Sequence, residues 1–178
     1  MSEKSSEEPS EETSSSLAEN LYPFDPIFAE ALLTWVGSFQ ENFFWCAKKQ
    51  FPLEPQVFEQ WHIDHDIHPY LLVENEEAIA YGEVSWASGS EEAELMRLLV
   101  HPEWRGKGTG GRLIQALLET LDAQIVKEVV ARIIPQNDAS RRILEKQGFV
   151  RMEPEREAEL NQWEAQAFEW WRYAHASV

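Results

Sequence analysis

Half of the chain's eight glycines fall in one short stretch. In "LLVHPEWRGKGTGGRLI", residues 98–114, they stand at 106, 108, 110 and 111. An apolar, strand-like run ends at Val100, and a helical apolar pattern opens at Leu113 and Ile114. Strand, glycine-rich turn and helix together make an anion holder. Glycines let the backbone approach closely, successive N–H groups converge, and the helix start adds partial positive charge. Arg105, Lys107 and Arg112 bring formal positive charge to the same turn. The implied ligand is a phosphate or pyrophosphate; the alternative use of such a turn is a tight corner with no ligand.

Other residues with chemical potential are less pointed. "WHIDHDIHPY" gathers His62, His65 and His68 around Asp64 and Asp66, in the style of a metal site. The end of a helix running into a loop collects the same residues, and no metal is expected. The eight tryptophans, Trp170 and Trp171 adjacent, could stack an aromatic substrate, but core packing is their commoner use. Cys46 is the only cysteine, so an intramolecular disulfide and a cysteine metal cluster are both excluded.

The elements that must position the turn follow from periodicity. Asp25-Pro26 marks a helix start, with Ile27, Ala31, Leu32 and Trp35 on one stripe. Further helical pieces cover residues 40–48 and "QVFEQWHI". "PYLLVE" and "EAIAYGEVSWA" form a hairpin across Asn75-Glu76, and "AELMRLLV" is a buried strand. Leu113, Ile114, Leu117, Leu118 and Leu121 recur at helical spacing. "EVVARII" is the next strand, Asn137-Asp138 caps a helix that Gly148 closes, and "FVRM" and "AFEWWRY" are the last strands. The order implies an α/β (α+β) domain, a mixed sheet with helices packed on it.

Composition narrows the partners. With 32 acidic and 15 basic residues the formal charge is −17, which disfavours nucleic acid and leans toward cationic substrates. Residues 1–20 hold six Glu, one Lys and no aromatic residue; they are expected to form a disordered acidic tail, with one domain over 21–178. No run is long enough to span a membrane, and the acidic start is unlike a signal peptide. A cytoplasmic protein is expected, a monomer or homodimer without nucleic-acid or membrane partners.

Three phosphate-binding spellings can be tried on the turn. The P-loop spacing is absent. G-x-G-x-x-G fits Gly106, Gly108 and Gly111. However, five residues separate the strand from the first glycine, and no acidic residue closes the next strand. R-x-x-G-x-G is met by Arg105, Gly108 and Gly110. With the strand ending at Val100 and the following His-Pro-Glu, it resembles the acetyl-CoA-binding motif of the GNAT (GCN5-related N-acetyltransferase) superfamily. "NDASRRILEKQGF", residues 137–149, is similar to that family's closing motif, in the spelling of the branch that acetylates ribosomal-protein N-termini.

The resemblance implies the GNAT fold, a central, mostly antiparallel mixed sheet flanked by helices. It also implies transfer of the acetyl group of acetyl-CoA to a primary amine, either a small cation or a protein N-terminus. By that likeness the pyrophosphate sits on main-chain groups of Arg105, Gly106, Lys107, Gly108, Thr109 and Gly110, with Gly111 allowing close helix approach. The cofactor arm adds to the strand at Leu98, Leu99 and Val100. Asn137 and Ser140 reach the arm, and Asn137 is also a plain N-cap. Glu94 is the candidate proton acceptor, placed where the histone-acetyltransferase branch carries its strand glutamate; Glu83 is a second candidate. A regular strand puts Glu94 on one face with Met96, Leu98 and Val100, and a bulge would break that parity. Leu144 stands where many relatives have a tyrosine that can protonate the departing thiolate. That departure keeps open a non-catalytic acyl-CoA-binding module of the same fold.

Overall fold

The computed structural model describes residues 17–175. The expected acidic tail lies outside the described residues as far as position 16. Its last four residues, Leu17–Asn20, form a 3-10 turn, and the Ala18 amide donates to Glu119 Oε2 at 3.0 Å.

Seven strands form one sheet in the order β1-β2-β3-β4-β5-β7-β6. They are β1 (Leu21–Pro23), β2 (Ile67–Glu74), β3 (Glu77–Ser85), β4 (Glu92–Val100), β5 (Glu128–Ile133), β6 (Val150–Arg151) and β7 (Glu169–Ala174). Among the described residues only β4 and β5 run parallel; every other neighbouring pair is antiparallel. One face carries α4 (Thr109–Glu119) and α5 (Asp138–Lys146), whose Leu113, Ile114, Leu117 and Leu144 meet Ala80, Val84, Leu95 and Ala131 in the main core. The other face carries α1 (Ala29–Thr34), α2 (Phe39–Cys46) and α3 (Gln56–Trp61), packed through Leu32, Trp45 and Phe58 on Leu71, Tyr81 and Leu99. This is the mixed, mostly antiparallel sheet flanked by helices that the sequence implies.

Local rules account for most boundaries. Asp25 accepts from the Ile27 amide at 3.0 Å, starting a 3-10 turn, Pro26–Phe28, that leads into α1. The buried stripe is Ala29, Leu32, Trp35 and Val36; the expected Ile27 and Ala31 face solvent, because the 3-10 turn shifts the phase before the α-helix begins. Asn137 caps α5 by accepting from Ser140 N at 3.1 Å. At its other end Phe149 N donates to Leu144 O and Gly148 N to Glu145 O, with Gly148 at φ 85°. That is the Schellman pattern, and Leu144 and Phe149 make its buried apolar contact. The polar stretch after Arg151 folds as α6 (Pro154–Asn161), a helix with no buried residue to announce it.

The β2–β3 turn is made by Asn75 and Glu76 at φ 50° and 67°, two left-handed residues as a two-residue hairpin of this twist requires. Asn tolerates that conformation and Glu does not. Glu76→Gly is expected to stabilise the fold by up to about 1 kcal/mol, read as a higher midpoint in urea unfolding at unchanged slope.

Candidate active site

The parallel pairing of β4 with β5 runs only from Glu92–Glu128 to Leu95–Ala131, although both strands continue. Beyond Leu95 they part. The cause is an extra residue in β4: Val84 faces Leu95 and Glu83 faces Met96, but Tyr81 faces Leu99, so Gly82 spans Arg97 and Leu98. Arg97 takes the strain, at φ 47°. Such a conformation costs a non-glycine residue roughly 1–3 kcal/mol and persists only where neighbours over-determine it.

Here they do. The Arg97 guanidinium donates to Glu83 Oε1 through Nε at 2.9 Å, sets Nη2 2.7 Å from Oε2 as an ion pair, and lies 4.6 Å over the Trp61 ring. The Arg97 carbonyl accepts from the Trp45 indole at 2.8 Å. Glu83 is wholly buried and also accepts from the Tyr81 hydroxyl; His62 Nε2 lies 3.0 Å from that hydroxyl and 3.4 Å from Glu83 Oε1. Burial alone would raise the Glu83 carboxyl. The His62 hydrogen bond, the Arg97 charge and the Tyr81 hydroxyl outweigh it and hold the group below its ordinary range. Burial and the Glu83 charge push Tyr81 far up, so it stays a donor.

Three adjoining cavities lie along the split. At one end is a groove of about 570 Å³ against Leu98–Val100, the glycine turn and the start of α5. A neck of about 100 Å³ shares Leu98, Val100, Ser140 and Ile143 with that groove. It shares Phe44, Trp45, Arg97 and Arg132 with an inner cavity of about 280 Å³, which Glu94 and Glu164 also line.

At the groove end, Gly106 and Gly108 have φ of 71° and 80°, and Gly108 caps α4. The first-turn amides of α4 have no partner one turn back. A Cβ on Gly110 would stand 3.0 Å from Ile143 Cδ1, and one on Gly111 2.6 Å from Gln147 Nε2, so the turn stays bare between α4 and α5. The Thr109 hydroxyl is spent on Trp104 O at 2.9 Å, leaving its amide for a ligand. Asn137 lines the groove with its oxygen used in the cap, and Ser140 lies beside it. This donor set fits a pyrophosphate.

Two of the three cations expected there are engaged elsewhere. Arg105 donates to Val100 O at 3.1 Å and Trp35 O at 2.6 Å, reaches Glu41, and commits its own amide to Pro102 O. It straps the turn to α1 and α2 and also lines the groove. Arg112 pairs with Glu74. Lys107, 5.5 Å over Trp104, and Lys146 supply the positive charge that remains.

The profile of the acetyltransferase (GNAT) family matches residues 29–149. The chain belongs to that family. No curated protein shows significant similarity to it. An acetyltransferase from Thermus thermophilus superposes with a TM-score of 0.65 at 18% identity, covering 86% of this chain and 95% of that one. The ribosomal-protein-S18-alanine N-acetyltransferase of Escherichia coli gives 0.62 at 14% identity over 89% and 94%. AAC(6')-Ib in complex with ribostamycin and coenzyme A gives 0.66 at 20% identity over 87% and 92%. At these identities the likeness is one of fold.

Within this GNAT domain the bulge corrects one expectation. Glu94 shares a face with Met96, Glu83 and Leu99, while Leu98 and Val100 turn to the α4 side, because the extra residue at Arg97 inverts the alternation. Glu94 still lines the inner cavity, its Oε1 3.0 Å from Arg132 Nε. Burial raises its carboxyl above the ordinary range, Arg132 opposing and Glu164 adding to the rise. Leu144 is buried beside the neck and carries no proton. His62 turns inward to Glu83, and no group of three His, Cys, Asp or Glu among the described residues is placed to hold a metal ion. Arg132, Glu164 and the adjacent Phe44 and Trp45 are not singled out by the sequence; they come from three distant parts of the chain, and no local spacing marks them.

Glu83→Gln removes the charge from a buried pair and is expected to cost about 3–5 kcal/mol. Glu83 has a depressed pKa in the folded state. Its contribution is therefore complete above about pH 4.5 and is lost as pH falls through the folded value. Urea unfolding across acid pH should show that loss in the parent protein and not in Glu83→Gln.

Proposed function

We propose that the protein is an acetyl-CoA-dependent N-acetyltransferase acting on a primary amine. The observation that carries this reading is the row of adjoining cavities that leads from a glycine turn suited to an anion, along the split between β4 and β5, to a buried carboxylate with a raised pKa. Acetyl-CoA would supply an acetyl group activated as a thioester. The amides of Gly106–Gly111 and the charge of Lys107 would hold its pyrophosphate, with the edge of β4 at Leu98–Val100, Asn137 and Ser140 along its arm. Among known GNAT structures, AAC(6')-Ib is described in complex with coenzyme A.

An amine reaching the neck from the inner cavity must be neutral to attack. Glu94 accepts the proton released as the new carbon–nitrogen bond forms and the carbon–sulfur bond breaks. Its raised pKa suits a general base, because a carboxylate at its ordinary value holds a proton too weakly to assist much. The sulfur leaves as a thiolate. An ordinary thiol pKa of about 8.5 permits that without a donor at Leu144, and water at the groove mouth can protonate it afterwards.

Leu144 is the observation that favours a second reading, a module that binds acyl-CoA without turnover. Glu94→Gln separates the two. In the catalytic reading kcat/KM rises with pH through the Glu94 pKa, above the ordinary 4.5. The substitution should lower kcat roughly 10²–10⁴-fold and abolish that acid limb, leaving only the titration of the amine. Thiol release from acetyl-CoA across pH reads both effects. A thermal-shift series tests the ligand itself. Acetyl-CoA or coenzyme A at about 100 times its dissociation constant should stabilise the fold by roughly 2.7 kcal/mol, with no response to NAD or NADP. A response to the nicotinamide nucleotides alone would transfer the glycine turn to a dinucleotide.

A further inference from the structure

Resting on that reading of the passage, we propose that the acceptor is a compact monoamine with a flat or branched apolar body and no carboxylate beside the amine. The inner cavity carries the argument through its charges, its walls and its size.

Among the described residues, four charged side chains line it: Glu94, Arg97, Arg132 and Glu164. Arg97 is already neutralised by the buried Glu83, which meets the Nε–Nη2 edge of its guanidinium. Arg132 is shared between Glu94, 3.0 Å from its Nε, and Glu164 at its Nη1. Two carboxylates against one free guanidinium leave a single uncompensated negative charge. One ammonium balances it on entry; that first proton leaves to water before attack, so that Glu94 stays ionised for the proton released as the bond forms.

A carboxylate on the carbon next to the amine finds no place. Of the two guanidiniums lining the cavity, Arg97 is already balanced by Glu83, and Arg132 is shared by Glu94 and Glu164. Arg132 is not free to turn, because it is also stacked 5.3 Å from the Phe168 ring and 5.2 Å from the Trp170 ring. A free amino acid would set its carboxylate against Glu94 and Glu164. Blocking or deleting that carboxylate removes the conflict, since like charges placed together in a binding site are selected against.

Part of the wall can pack an apolar body beside the charged groups. Phe44, Trp45 and Phe168 line the cavity, and the Trp45 ring is fixed by the bond from its indole to Arg97 O. About 280 Å³ lies just below the usual range for drug-sized ligands, a match for one compact amine body.

Matched amines test the proposal: 2-phenylethylamine, phenylalaninamide, phenylalanine, spermidine, kanamycin and a tetrapeptide amide beginning with Phe. With saturating acetyl-CoA, kcat/KM for 2-phenylethylamine and phenylalaninamide should exceed that for phenylalanine by at least about 100-fold. Glu164→Gln removes one of the two carboxylates, so it should cut that ratio at least about tenfold, a change in selectivity that mere loss of stability does not produce. Equal or better use of phenylalanine, or a ratio unchanged in Glu164→Gln, overturns the charge argument. Higher kcat/KM for spermidine, kanamycin or the tetrapeptide than for 2-phenylethylamine overturns the compact monoamine. If no amine is used while acetyl-CoA still shifts the melting temperature, the acceptor class falls and the cofactor groove stands. If acetyl-CoA produces no shift, the reading beneath it falls as well.

Discussion

An arginine held in a left-handed conformation in the middle of a strand governs the site. Arg97 is strained, and the Glu83 carboxylate, the Trp61 ring and the Trp45 indole together keep it there. The extra residue ends the pairing of β4 with β5 and makes a wedge in the sheet. It also divides β4 into two chemical zones. Before the bulge, Glu94 faces the α1–α3 side and the inner cavity. After it, Leu98 and Val100 face α4 and α5, where the groove lies. The stability of that buried pair is thus linked to the shape of the passage, so binding and folding draw on the same contacts.

Charge is distributed with the same economy. The chain is strongly acidic, yet the groove that the proposed reading gives to an anion is lined by the main chain of the glycine turn, with Lys146 in its wall and Lys107 on the turn beside it. Its arginines hold the structure together instead: Arg105 straps the glycine turn to α1 and α2, and Arg112 ties α4 to β2. An amide cradle needs no compensating counter-charge in the empty groove, whereas a cluster of free guanidiniums would repel itself. At the opposite end the balance is reversed, with carboxylates outnumbering the free cation.

Features set by short-range geometry are legible in the sequence. The glycine turn, the Asn137 cap, the Gly148 closure and the Asn75-Glu76 hairpin each depend on a few consecutive residues, and each stands where spacing puts it. The phase of α1 escapes a 3.6-residue count because a 3-10 turn precedes the helix. No periodicity marks α6, because none of its residues is buried. The bulge is not legible at all: Met-Arg-Leu is ordinary strand text, and what bends it is a carboxylate fourteen residues earlier and two tryptophans from other helices. The same limit hides Arg132 and Glu164, which meet Glu94 only after strands and a loop distant in sequence have come together.

The central claim is that one passage through the split sheet holds the acyl donor, with its phosphates on the glycine turn. Hydrogen exchange of the backbone amides, followed with and without saturating acetyl-CoA, tests this most directly. The account predicts slowed exchange at Gly106–Gly111 and along the free edge of β4 at Leu98–Val100, with the β2–β3 hairpin unchanged. Protection confined to other segments, or none at saturation, would contradict it.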